Sequence, residues 1–147
     1  MIKIFITILG LLLSNCTNAQ TTTKEITDKF FVLYAKDPLE AVDYAFSTNK
    51  YWEKNPDGIR DLKNKLKNEI DICGEYLGFE MLSSKTAGKN IMMTSFILKY
   101  DRLPIRFIFF FYKPKDTWRV NSLLFDENID DDLKEGIKAY RLKENMD

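Results

Sequence analysis

At Gly74 the hydrophobic repeat of this chain changes period, and that change limits the available folds more than any other feature. Before it, apolar residues recur at helical spacing: Ile26, Phe30 and Leu33, then Leu39, Val42 and Phe46, then Ile59, Leu62, Leu66, Ile70 and Cys73. From Tyr76 onward they alternate, over candidate strands Tyr76–Ser83, Ile91–Tyr100, Ile105–Tyr112 and Trp118–Phe125. The gaps between these strands are too short for crossover helices, so neighbouring strands must run antiparallel as a meander. A closing helix is expected over Ile129–Leu142, with Ile129, Leu133, Ile137 and Tyr140 on one face. Asp130, Asp131 and Asp132 would then lie at the positive end of its dipole. The expected class is α+β: N-terminal helices packed on a curved four-stranded antiparallel sheet, with a C-terminal helix.

Local punctuation agrees with this order. Thr22 and Glu25 have the spacing of a capping box. Asp37-Pro38 with Glu40 stops one helix and starts the next. A loop with Tyr51, Trp52 and the Asn55-Pro56-Asp57-Gly58 turn precedes the third helix, and Gly74 closes that helix.

Strand register predicts which face is buried. With Phe111 opposite Trp118, Phe109 opposite Val120 and Tyr100 opposite Ile105, one face is nearly continuous apolar surface. It carries Met92, Phe96, Leu98, Tyr100, Ile105, Phe107, Phe109, Phe111, Trp118, Val120 and Leu124. The other face is mixed. Its interface candidates Ile97, Ile108 and Phe110, with Met93, Tyr112 and Leu123, form an apolar band, and Arg106 and Arg119 are expected at the rim. Two covers fit such a band: the closing helix folded back, or a second copy in a two-fold homodimer.

The N-terminus carries an address. Lys3 and the apolar run Ile4–Leu13 have the form of a secretory signal, and the run is well short of the ~20 residues that span a bilayer. Thr17-Asn18-Ala19 before Gln20 offers a cleavage site, giving residues 1–19 as signal peptide and 20–147 as a single domain. Leu13-Ser14-Asn15-Cys16 also resembles a lipobox, although Asn15 replaces the usual small residue. Lipidation at Cys16 would tether the protein to a bacterial membrane; otherwise it is periplasmic or extracellular. Either route leaves Cys73 without an intramolecular disulfide partner. Intact mass of the exported protein separates the two, with a chain beginning at Gln20 as the expected result and an acylated Cys16 as the contrary one.

Composition removes whole classes of chemistry. Lys+Arg and Asp+Glu both number 22, so no basic surplus exists for a nucleic-acid backbone. The 147 residues include no histidine, which excludes Ser-His and Cys-His couples and HExxH zinc sites. Cys73, at a helix C-terminus, reads as a packing residue rather than a nucleophile. The run from Asp126 to Asp132 begins like a calcium loop. It then has Asp131 where glycine is needed and Ile137 where the closing glutamate is needed. No glycine-rich phosphate loop or CxxC is present, and neither metal nor cofactor is expected.

Helices entering a sheet through Gly74-Glu75-Tyr76-Leu77-Gly78, and the pieces Phe110-Phe111-Tyr112-Lys113 and Asp116-Thr117-Trp118-Arg119-Val120-Asn121, resemble the NTF2-like superfamily. This is the cystatin-like, cone-shaped α+β group, and the likeness is to its small secreted bacterial members. It covers roughly Thr22 to Phe125, and the closing helix is a departure from it. The resemblance implies a cone whose interior holds any pocket, so Tyr100, Phe96, Phe107, Phe109 and Trp118 are the ligand-pocket candidates. It also implies frequent dimerisation through the outer sheet face. Two functions follow: a non-enzymatic exported module binding a protein partner or small apolar ligand, or an isomerase- or dehydratase-type enzyme using a carboxylate and a tyrosine. Glu80 is the acid carried within a strand, and it reads as a solvated or edge side chain.

Overall fold

A computed structural model describes residues 22–144, with side chains placed through Ala139. The signal segment 1–19, Cys16 and the side chain of Tyr140 lie outside the described residues. The chain opens with the expected capping box: the Glu25 N–H donates to Thr22 Oγ1 at 3.1 Å, and the Thr22 N–H donates to Glu25 Oε2 at 2.8 Å. Helix α1 spans Thr23–Tyr34 and α2 Pro38–Ser47, with Asp37 Oδ1 accepting from the Leu39 and Glu40 N–H groups. The Tyr51–Trp52 stretch is a short 3-10 helix, Lys50–Lys54, which Asn49 caps, and α3 follows over Pro56–Cys73.

The meander is β1 (Tyr76–Ala87), β2 (Ile91–Tyr100), β3 (Ile105–Tyr112) and β4 (Arg119–Asp126), paired in that order and antiparallel throughout. The closing helix α4 covers Ile129–Glu144. The α+β class is therefore as the sequence predicts. β1 is longer than expected because Ser83–Ser95 and Ser84–Thr94 hydroxyl pairs, at 2.8 and 3.1 Å, continue the pairing where apolar alternation has stopped.

The register differs from expectation in two ways. Ile105 pairs with Leu98 rather than Tyr100, and Phe111 with Val120 rather than Trp118. Both are two-residue slips, which leave the faces unchanged because side chains alternate with period two. β4 also has a bulge between its partners of Phe110 and Phe111, so beyond Asn121 its parity reverses. Phe109 thus sits opposite Leu123, not Val120; Leu123 is buried and Leu124 is 57% exposed, the reverse of the expected pair.

The junction between α3 and the sheet depends on Gly74. Its φ is +88°, and the Asp101 carboxylate occupies the space a Cβ would need. That carboxylate accepts the Glu75 N–H at 2.8 Å, while Asp101 N–H donates to Glu75 O and Arg102 N–H to Cys73 O. The helix end is thereby tied to the turn between β2 and β3. Cys73 is fully buried beside it, and burial pushes its thiol pKa up, as suits a packing cysteine.

The core lies between α1, α2 and the inner sheet face. Phe30 meets Phe109 edge-on at 4.9 Å between ring centroids, and Phe31 meets Phe96 at 4.8 Å. Phe107, Phe109 and Phe111 are fully buried along β3, and Ala41, Val42 and Ala45 of α2 belong to the same buried cluster. Because Phe109 touches rings from α1, β2 and β3, truncation leaves a hole that no neighbour can fill alone. Phe109→Ala should cost about 3–5 kcal/mol in urea denaturation, against a total of about 5–15 kcal/mol for a domain. A loss below about 1 kcal/mol would contradict this packing.

Candidate functional site

Four of the five pocket candidates lie on the inner face of the sheet, and that face is packed rather than hollow. Phe107 and Phe109 are fully buried, and Phe96 is 4% exposed. Tyr100 is buried with its hydroxyl 2.7 Å from that of Tyr34 on α1. Trp118 is half-buried just outside β4, with Lys113 Nζ 5.0 Å above its ring. The sequence gives no direct sign of Tyr34 as the partner of Tyr100. Tyr34 stands one helical turn beyond Phe30 on the same α1 face, and that spacing could have suggested it.

The tyrosine pair is a closed polar unit. Burial first, then the nearby Tyr100 hydroxyl, drives the Tyr34 pKa far above tyrosine's ordinary value. Burial also raises Tyr100, with its hydrogen bond to the Tyr34 hydroxyl partly offsetting this, and pushes Tyr76 up to about 12. Glu80 is exposed on the opposite face, where it accepts from Lys99 Nζ at 2.7 Å. The carboxylate and the tyrosine of the enzyme reading are therefore on different sides of the sheet.

An apolar opening does exist, at the edge of the inner face. A groove of about 420 Å³ runs between the first turns of α1 and the strands β1 and β2. Its floor is Phe79, Met81, Met92 and Phe96, so one sequence-predicted pocket residue, Phe96, lines it. Phe79 stacks on Phe31 at 3.8 Å, leaving Met81 62% exposed at the mouth. The polar atoms around the rim are already occupied. Thr23 Oγ1 donates to Met92 Sδ at 3.3 Å, Thr27 Oγ1 to Lys24 O, Lys24 pairs with Asp28, and Ser84 with Thr94. What remains open is hydrocarbon and thioether surface, which adapts readily to irregular apolar shapes.

The outer face is less open than the sequence implies. Ile97, Ile108 and Phe110 are half-buried, Met93 and Leu124 are exposed, and Leu123 has moved to the inner side. Arg106 is not at the rim as expected. It lies mostly buried on this face, donating to Asp126 at 2.9 Å and also to Asp132 in the first turn of α4. The acidic run therefore anchors α4 to β3, and Asp130 and Asp131 hold Lys134. α4 does not lay its apolar stripe on the band, since Leu133 and Ile137 are 62% and 60% exposed. Among the described residues, no helix is long and apolar enough to cross a membrane.

Comparison of the chain with family models, curated proteins and solved structures finds no match in any of the three.

Removing one hydroxyl from the buried pair strands the other, so Tyr34→Phe should cost about 1–3 kcal/mol. Tyr34→Phe/Tyr100→Phe should recover most of that, because neither polar group then needs a partner. Denaturation midpoints of the two variants check this, and a double variant weaker than the single would contradict it. The raised Tyr34 pKa also sets an alkaline dependence. Its contribution is complete below the unfolded pKa of 10.0 and is lost as pH rises beyond it, because only the unfolded chain then releases the proton. The expected slope from this group is about 1.4 kcal/mol per pH unit above that point.

Proposed function

We propose that the protein is an exported, non-enzymatic module of NTF2-like type that binds a small apolar ligand in the groove between α1 and β1. One observation carries this reading: the interior of the sheet is packed with aromatic rings, while an apolar floor of Phe79, Met81 and Met92 opens beside it. The groove volume of about 420 Å³ falls within the range of small-molecule sites. The signal-like N-terminus supports export, and the order of helices, meander and Trp118 supports the superfamily.

The fluorescent apolar probe N-phenyl-1-naphthylamine tests it. Saturable binding is expected, weakened about tenfold by Met81→Glu because burying a methionine contributes roughly 1.5–3 kcal/mol. Met81 is 62% exposed, so this change should leave the denaturation midpoint nearly unaltered. Absence of saturable binding, or binding indifferent to Met81→Glu, would overturn the groove as the site.

A second reading concerns the outer face, where exposed Met93 and Leu124 adjoin the half-buried Ile97, Ile108 and Phe110. A second copy related by two-fold symmetry covers this band and gives a homodimer. Light scattering should then find a dimer that Phe110→Lys converts to monomer; a monomeric wild type removes this reading.

A further inference from the structure

The chain carries a second opening, far more polar than the groove, where the 3-10 helix meets the turn between β3 and β4. It is a cleft of about 630 Å³ whose lining includes Lys50, Tyr51, Lys115, Asp116, Thr117 and Arg119. Three cations and one carboxylate face this space, a surplus of positive charge in a chain that is neutral overall.

Arg119 is the fixed element. Its guanidinium carbon lies 5.0 Å from the Tyr51 ring centroid and 5.4 Å from that of Tyr112, so two aromatic rings hold it in place. Its Nε is buried and has no hydrogen-bond partner. The contrast with Arg106 on the same sheet face is direct, since Arg106 is satisfied by two carboxylates. Among the described residues, none of Lys50, Lys115 and Arg119 lies within 4.0 Å of a carboxylate oxygen. An arginine positioned by rings, with donors left over, suits a planar or tetrahedral oxyanion, and two lysines nearby add charge without demanding geometry.

The frame around the cleft is rigid. The Val120 N–H donates to Thr48 Oγ1 at 2.9 Å and Asn49 Nδ2 donates to Val120 O at 3.1 Å. Trp52 Nε1 donates to the Asn121 carbonyl at 3.2 Å. These bonds fix Tyr51 and its helix against the strand that carries Arg119, so the arginine and its aromatic support are held before any ligand arrives. The geometry points to a binding site for a phosphate-type dianion, either free or carried as the monoester of a small polar molecule. This goes beyond the apolar-ligand reading and does not depend on it.

Isothermal titration at low ionic strength, with inorganic phosphate and separately with glucose 6-phosphate, tests the site. Saturable binding that weakens as salt is added is expected. The tighter of the two ligands identifies the source, the free anion or the ester. Lys115→Gln and Arg119→Gln should each weaken binding about tenfold, the scale of one charge-assisted contact. Lys63→Gln, on α3 and paired with Asp43, should leave it unchanged. Circular dichroism verifies that each variant folds; if Arg119→Gln does not, Lys115→Gln on its exposed turn still decides. No saturable binding of either ligand, or binding undiminished in Lys115→Gln, would overturn the site.

Discussion

The fold depends on two adjacent rings of α1, Phe30 and Phe31, pressed into the inner face of the sheet. Phe30 reaches Phe107 and Phe109, and Phe31 reaches Phe79, Phe96 and Phe109. Consecutive helical residues diverge by about 100°, so the two rings splay to opposite sides of one helix line and engage three strands together. Each edge-to-face contact adds roughly 0.5–1.5 kcal/mol beyond the area it buries. One helix thus holds the register of the sheet, and one turn further on it supplies Tyr34 to close the Tyr100 hydroxyl.

That packing also determines where function can sit. A sheet whose inner face is filled with phenylalanine leaves the groove and the cleft at its margins. The two margins are treated differently. The β4 edge is covered by Thr48, Asn49 and Trp52, which take up the backbone groups of Val120 and Asn121. Along β1, Met81 and Leu82 stay exposed, and bulges at Gly78 and between Met81 and Ser83 twist the strand. The covered margin is polar and cationic, and the open one is apolar. Two openings of opposite chemistry therefore stand at opposite edges of one sheet.

Much of this architecture was legible in the residues. The limits of β2 and β3 follow from the apolar alternation, broken on β2 by Thr94, and from the Asp101–Pro104 turn, and α1 and α2 from Thr22, Asp37 and Pro38. Parity identifies the face of Phe107 and Phe109 but is blind to a slip of two, which is why Leu98 and not Tyr100 faces Ile105. The bulge at Asn121 has no local mark such as glycine, and its carbonyl is taken by a residue remote in sequence, Trp52. The candidate sites were less legible than the core. Of the predicted pocket residues, Phe96 alone borders the apolar groove; Met81 sat in the sequence as one more strand position. Arg119 read as a rim residue because its two tyrosines come from separate elements.

The central claim is that aromatic rings fill the inner face of the sheet and that apolar ligand space lies beside it, at the α1–β1 groove. Diffraction from crystals pressurised with xenon tests this most directly, since the atom enters apolar voids without needing polar contacts. The account predicts xenon against Met81 and Met92 and none among Phe30, Phe107, Phe109 and Phe111. A xenon atom within that ring cluster would contradict it.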